Sequence, residues 1–209
     1  MEFLFVIIIL IMSVVIHEVA HGYAALALGD TTAKYQGRLT LNPVAHLDPV
    51  GSFLVPIVGY LLGGFVIGWA KPVPFNPYNL RPGRWGLPAQ AGEALVAVAG
   101  PLSNIAIAAV FGLIIRTVNS GAVFGPTALG LMSFIVLINI TLALFNLLPV
   151  PPLDGSKILF AIMPQSLQSF RYAFERIGFL IVLLLVFSVW QFLTPFIYRV
   201  FSILTGLAF

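Results

Sequence analysis

Two histidines and a glutamate stand together in the run His17–Glu18–Val19–Ala20–His21. On a helix, residues i and i+4 share a face. Both imidazoles can therefore hold one metal ion while Glu18, beside them, handles a proton. Imidazole nitrogen suits zinc, and a catalytic zinc keeps three protein ligands and an open position for water. Water bound there is acidified toward a pKa of about 7, which makes hydroxide available at neutral pH. In a soluble helix this spacing arises by chance often enough to mean little, but the surroundings here are unusual. At about 1.5 Å per residue, His17 lies roughly 20 Å from Phe3 and roughly 16 Å from Leu28 along an unbroken apolar run. Such a run is the interior of a bilayer, where a charge costs ~2.5 kcal/mol or far more, so Glu18 is a functional candidate by default.

A zinc site of this kind needs a third ligand, and carboxylates are scarce: Glu2, Asp30, Asp48, Glu93, Asp154 and Glu175 remain. Asp154 is the best placed. Pro149, Pro151 and Pro152 precede it, end the helix before it and force extended backbone, which presents the carboxylate from a fixed, unwound segment. The alternative is an N-cap for a short helix from Gly155 to Met163, and the residues alone leave the two readings level. Asn104, in Gly100–Pro101–Leu102–Ser103–Asn104, can donate its amide to a developing oxyanion or make an interhelical hydrogen bond. His46, between Pro43 and Pro49, reads as a turn residue rather than a ligand. Residues 68–75 read as an interfacial loop anchored by Trp69 and Trp85, or as an extended edge able to take up a substrate strand.

These residues sit in a chain of 209 residues that is 60% hydrophobic and 8% charged, with a mean hydropathy of +1.06. Soluble domains carry about 25% charged residues, so the natural solvent of this chain is the lipid bilayer. The net charge of +3 is small and scattered, and no basic run exists to track a phosphate backbone, so nucleic acid is not an expected partner. The absence of cysteine removes disulfides, thiolate ligands and a thiol nucleophile. The N-terminus lacks a basic region and runs straight into the histidine motif, which predicts a retained span rather than a cleaved leader.

The elements that must position the site are five apolar stretches, at about residues 3–28, 50–70, 94–116, 127–148 and 177–207. The first, third and fourth are long enough to cross a bilayer, which takes roughly 20 residues. The last suits one tilted span, or two short segments joined at Pro195. The second is broken by Pro56, Gly59, Gly63 and Gly64. If residues 50–70 enter and return on one side, then Lys34, Arg38, Lys71, Arg81, Arg84, Lys157, Arg171 and Arg176 share a face, and Arg116 lies opposite. The positive-inside rule favours that arrangement and makes the shared face cytoplasmic. Broken backbone at membrane depth is tolerated where protein or a water-filled cavity covers it. The alternation Arg38–Leu39–Thr40–Leu41 predicts a short strand on the same side. The expected fold class is thus an all-α polytopic bundle of about four to six membrane segments, with a re-entrant segment and a short β element.

The three elements, in this order, resemble the site-2 protease family of membrane metalloproteases (peptidase family M50). They are His-Glu-x-x-His at 17–21, Gly-Pro-x-x-Asn at 100–104 and Asn-x-x-Pro-x-Pro-Pro-Leu-Asp-Gly at 146–155. The loop Leu41–Gly51 is similar to that of its compact branch, and no insertion is large enough for a PDZ or CBS domain. The resemblance implies one metalloprotease domain over residues 1–209, with its core at 3–155 and C-terminal helices at 156–209. It implies one Zn²⁺ held by His17, His21 and Asp154, with Glu18 as general base and acid. It implies Asn104 as a substrate-orienting or oxyanion group. The expected substrate is a membrane-spanning protein or peptide, and the expected location is a prokaryotic cell membrane with the site toward the cytoplasm. A metal transporter would need a relay of ligands along a path, whereas these candidates converge on one point. A serine mechanism would have only His46 free, and an aspartyl mechanism only Asp154. Oligomeric state leaves no mark on the sequence.

Overall fold

A computed structural model of the chain describes residues 2–55, 57, 58, 61, 69–88, 91–118, 125–188 and 190–207. Apolar runs with satisfied internal hydrogen bonds become helices, the one open structure that can cross lipid without stranding backbone groups. They are α1 (Glu2–Ala27), α2 (Thr32–Tyr35), α3 (Ala91–Thr117), α4 (Pro126–Asn146), α5 (Asp154–Ile162), α6 (Gln168–Ser188) and α7 (Trp190–Thr205). Short 3-10 and π turns link them over residues 43–54 and 77–85. Among the described residues three helices are long and apolar enough to cross a membrane: Leu4–Ala27 of α1, α3 and α4. Of the others, α6 opens with Arg171, Glu175 and Arg176, and α7 has only 16 residues.

Helix α3 is the hub, packing against α1, α4, α5 and α7. One apolar cluster joins Ala108 and Ile115 of α3, Val136 and Ile140 of α4, and Ile197 and Phe201 of α7. A second joins Ala25 and Leu28 at the end of α1 to Val96 of α3. Elsewhere the helices present bare apolar faces, such as Leu4, Ile8, Leu102, Ile105, Leu113 and Phe134, which suits lipid rather than water as the surrounding medium.

Three expectations meet a different outcome or fall outside view. No strand forms among the described residues, and the segment 38–42 is bent backbone. Its polar groups are taken by local and side-chain bonds instead of a ladder: Asn42 N–H donates to Thr40 Oγ1 at 3.2 Å, His46 Nε2 to the Thr40 carbonyl at 2.9 Å, and the Arg38 guanidinium to the carbonyls of Lys71 and Pro72. In the C-terminal stretch α7 runs through Pro195 unbroken, so no join of two segments forms there. The re-entrant segment expected over 50–70 lies largely outside the described residues.

Candidate metal centre

Helix α1 carries His17 and His21 on the face turned to α3, and α5 brings Asp154 to them from the far end of the chain. All three are buried. The Nε2 atoms of His17 and His21 are 3.0 Å apart, and Asp154 Oδ2 lies 3.1 Å from each. Among the described residues this is the one group of three metal-ligating side chains.

The opposite ring nitrogens decide what this triangle is. His21 Nδ1 lies 2.7 Å from the Val96 carbonyl, which can only accept. His21 Nδ1 therefore carries its proton, and in the neutral ring Nε2 offers a lone pair. His17 Nδ1 lies 2.6 Å from Asn104 Oδ1 and is held the same way. Two imidazole lone pairs and a carboxylate oxygen thus converge with nothing of opposite sign between them. That is a repulsive cluster for the chain alone and a coherent one around a cation. Two zinc bonds of about 2.05 Å at a tetrahedral angle would place their ligand atoms about 3.3 Å apart, close to the edges observed.

Local sequence explains the fit. A Cβ on Gly100 would fall 2.6 Å from His17 Nε2 and closer still to His21 Nε2, so glycine is what lets α3 approach both rings. The chain leaves α4 at Asn146, turns through residues 147–153 and starts α5 at Asp154 itself. The N-cap of α5 is Leu153, so the Asp154 carboxylate is not spent on capping. Any side chain at Gly155 would strike the carbonyls of Leu147 and Leu148, so this turn closes only with glycine there. Burial alone would push the Asp154 carboxyl up. The Lys157 ammonium, 3.7 Å from Oδ1, opposes that and favours the charged carboxylate.

A cavity of about 150 Å³ opens onto the triangle. His17, Glu18 and His21 form one wall, and Asn146 with Pro152, Leu153, Asp154 and Lys157 another; Pro72, Val73 and Phe75 cover it. Glu18 is half-buried and accepts the Val73 N–H at 2.8 Å through Oε2. Lys157 is the only cationic side chain among the described residues lining this space, and its ammonium lies 5.4 Å above the Phe75 ring. A larger hollow of about 330 Å³, between Tyr78, Glu93 and Arg171, contains none of these three side chains.

Asn104 is elsewhere than expected. It is fully buried, does not line the cavity, and spends its amide on Ser13 and Asn139. Its Oδ1 meets His17 Nδ1 at 2.6 Å. His46 is buried against Thr40 and is not among the residues that line the cavity. Two contributors were not singled out from the sequence. Asp30 accepts from Thr32, Asn76 and Asn79 and ties residues 76–79 to the end of α1. Burial works against its charge, but these four bonds prevail and lower its pKa. Arg38 ties residues 71–72 down over the site. Arg38 entered the sequence reading as part of a strand-like alternation and Asp30 as a spare carboxylate, and neither pattern marks the contacts they make here.

Comparison with known proteins agrees with this chemistry. The profile of peptidase family M50 matches residues 114–188. The chain is 39% identical over 186 residues to YwhC of Bacillus subtilis (strain 168), whose name proposes a zinc metalloprotease; the match covers 87% of this chain and 79% of that protein. It is 30% identical over 180 residues to Rip2 of Mycolicibacterium smegmatis, covering 85% and 64%, and 33% identical over 102 residues to MJ0611 of Methanocaldococcus jannaschii, covering 46% and 50%. Both of those names propose the same activity. No solved structure matches the chain.

Proposed function

The chain belongs to peptidase family M50, the site-2 protease family of zinc metalloproteases, and from that premise we propose that it is an intramembrane endopeptidase that cuts membrane-spanning segments of other proteins. The observation that carries this reading is the place of the triad. His17 and His21 lie within a helix able to cross the bilayer, and the cavity beside them is lined by that helix, by the loop at residues 72–75 and by the chain from Asn146 to Lys157. A peptide bond hydrolysed there must itself come from within the membrane.

His17, His21 and Asp154 would hold the Zn²⁺, and their donor set of two neutral imidazoles and one carboxylate fits it. When bound, zinc supplies Lewis acidity, acidifying water and polarising a carbonyl. Glu18 is the proton acceptor and later the donor to the leaving amine. The Val73 N–H fixes its Oε2, which leaves Oε1 for proton transfer. Lys157 grips the Asp154 oxygen that faces away from the imidazoles, so a single carboxylate oxygen is turned to the metal position. Residues 69–75 form an extended cover pinned by Arg38, Glu18 and His46. Its edge is the place where an unwound substrate strand would be held.

Residues 50–70 are read as entering and leaving on one side, which is supported at their ends: the Trp69 N–H donates to the Gly51 carbonyl at 3.1 Å. With that return, the loops bearing Lys34, Arg38, Lys71, Arg81, Arg84 and Lys157 share one face, and the positive-inside rule makes it cytoplasmic. The whole of 1–209 acts as one protease domain in a prokaryotic cell membrane. The test is reconstitution into liposomes with a single-span substrate. Cleavage inside the span that stops with a zinc chelator and returns with added Zn²⁺ is expected. Cleavage confined to soluble segments, with the span left intact, would contradict the reading.

A further inference from the structure

Behind His17, three polar side chains from three helices form a chain sealed from solvent. Ser13 of α1, Asn104 of α3 and Asn139 of α4 are 4%, 0% and 0% exposed. Their partners fix which way each group points, starting from carbonyls that can only accept. Asn139 Nδ2 donates to the Ile135 carbonyl at 2.8 Å and to Ser13 Oγ at 2.9 Å. Its Oδ1 therefore faces Asn104, whose Nδ2 donates to it at 2.8 Å and reaches the Ser13 carbonyl at 3.3 Å. Asn104 Oδ1 is left to accept from His17 Nδ1 at 2.6 Å. Turning either amide over would set donor against donor, or oxygen against oxygen. One arrangement of protons satisfies every contact, and it ends with a proton on His17 Nδ1 and a lone pair on Nε2.

Resting on the reading of His17 as a zinc ligand, we propose that Ser13 and Asn139, neither of which reaches the cavity, are positioning residues for that ligand, acting through Asn104 to lock the tautomer and ring angle with which His17 binds zinc. The two imidazoles are braced differently. His21 leans on a main-chain carbonyl of α3, which any residue at position 96 supplies. His17 leans on a side-chain chain that spans α1, α3 and α4, so its brace depends on residue type at three places. Partners of a ligand's outer nitrogen commonly control metal affinity by 10–100-fold. Packing alone is a weak reason for these residues, because interhelical polar contacts in membranes contribute little to stability on average.

The test compares Asn139→Leu, which keeps the number and branching of side-chain heavy atoms and removes the amide, with Val136→Ala, which opens a cavity in the same α3–α4 interface without touching the polar chain. Zinc affinity is measured by chelator competition on the full-length protein in detergent, and the electronic spectrum of the Co²⁺-substituted protein reports ligand geometry. Asn139→Leu is expected to weaken zinc about 10–100-fold and to shift the cobalt bands, whereas Val136→Ala lowers thermal stability with both readouts unchanged. Ser13→Ala, the milder variant, shifts both in the same direction by a smaller factor and serves if Asn139→Leu does not fold. Loss of stability alone in Asn139→Leu and Ser13→Ala, with zinc affinity and cobalt bands as in wild type, overturns the proposal. A His17→Ala protein that still binds zinc at full affinity would instead overturn the ligand assignment beneath it.

Discussion

His17 Nε2 and His21 Nε2 stand 3.0 Å apart, each with its outer nitrogen committed as a donor. Two neutral rings do not choose to aim lone pairs at each other, least of all with a carboxylate oxygen 3.1 Å from both. The contact is the shape of a cation site written into the apolar packing of α1 on α3.

Replacing Glu18 separates binding from chemistry. Glu18→Gln keeps the shape of the side chain and leaves the three ligands in place, so zinc stoichiometry by elemental analysis should match wild type. Cleavage of a membrane-spanning substrate should fall by about 10²–10⁴-fold, the usual worth of a positioned acid–base group. Undiminished cutting would remove Glu18 from the mechanism.

Gly100→Ala tests whether close helix approach makes the site. Its added methyl enters the space between the imidazole Nε2 atoms, where overfilling a packed interior typically costs about 1–3 kcal/mol. We expect reduced zinc content and activity together, with the protein still membrane-inserted. Normal zinc content in this variant would mean that α3 does not lie against the rings as described.

The loop that carries the cover over the site should loosen in acid. Asp30 has a folded pKa below its ordinary value of 3.8, so its contribution is complete above about pH 4 and is lost as pH falls through the lower, folded value. Asp30→Asn should cost about 1.5–3 kcal/mol at neutral pH, the worth of hydrogen bonds to a charged group. It should also flatten the acid limb of a thermal-stability profile taken from pH 7 to pH 3. An acid limb identical to wild type would show that residues 76–79 are held by something else.

The sequence carried the spans and the pairing of His17 with His21 well because both rest on short-range rules. A run of apolar residues must become a helix in lipid, and a four-residue spacing puts His17 and His21 on one face whatever surrounds them. Asp154 needed more, since 132 residues separate it from His21 in the chain and only the family pattern joined them. Asn104 was legible as a residue with two readings, an oxyanion donor or an interhelical hydrogen bond, and the bond it makes to Asn139 is of the second kind. Its neighbours Ser13 and Asn139 are ordinary polar residues within apolar runs, and nothing in their spacing says that three helices bring them together. The strand expected at 38–41 failed for a related reason. The alternation was present, but Arg38, Thr40 and His46 bonded locally and to residues 71–72, and a ladder had no partner left.

The most direct measurement is X-ray absorption at the zinc edge on the purified protein, beside Asp154→Ala. The account predicts one zinc per chain with two imidazole nitrogens and a carboxylate oxygen at about 2.0–2.1 Å, and loss of that oxygen shell with much weaker binding in the variant. A zinc whose coordination and affinity are the same with and without the Asp154 carboxylate would contradict it.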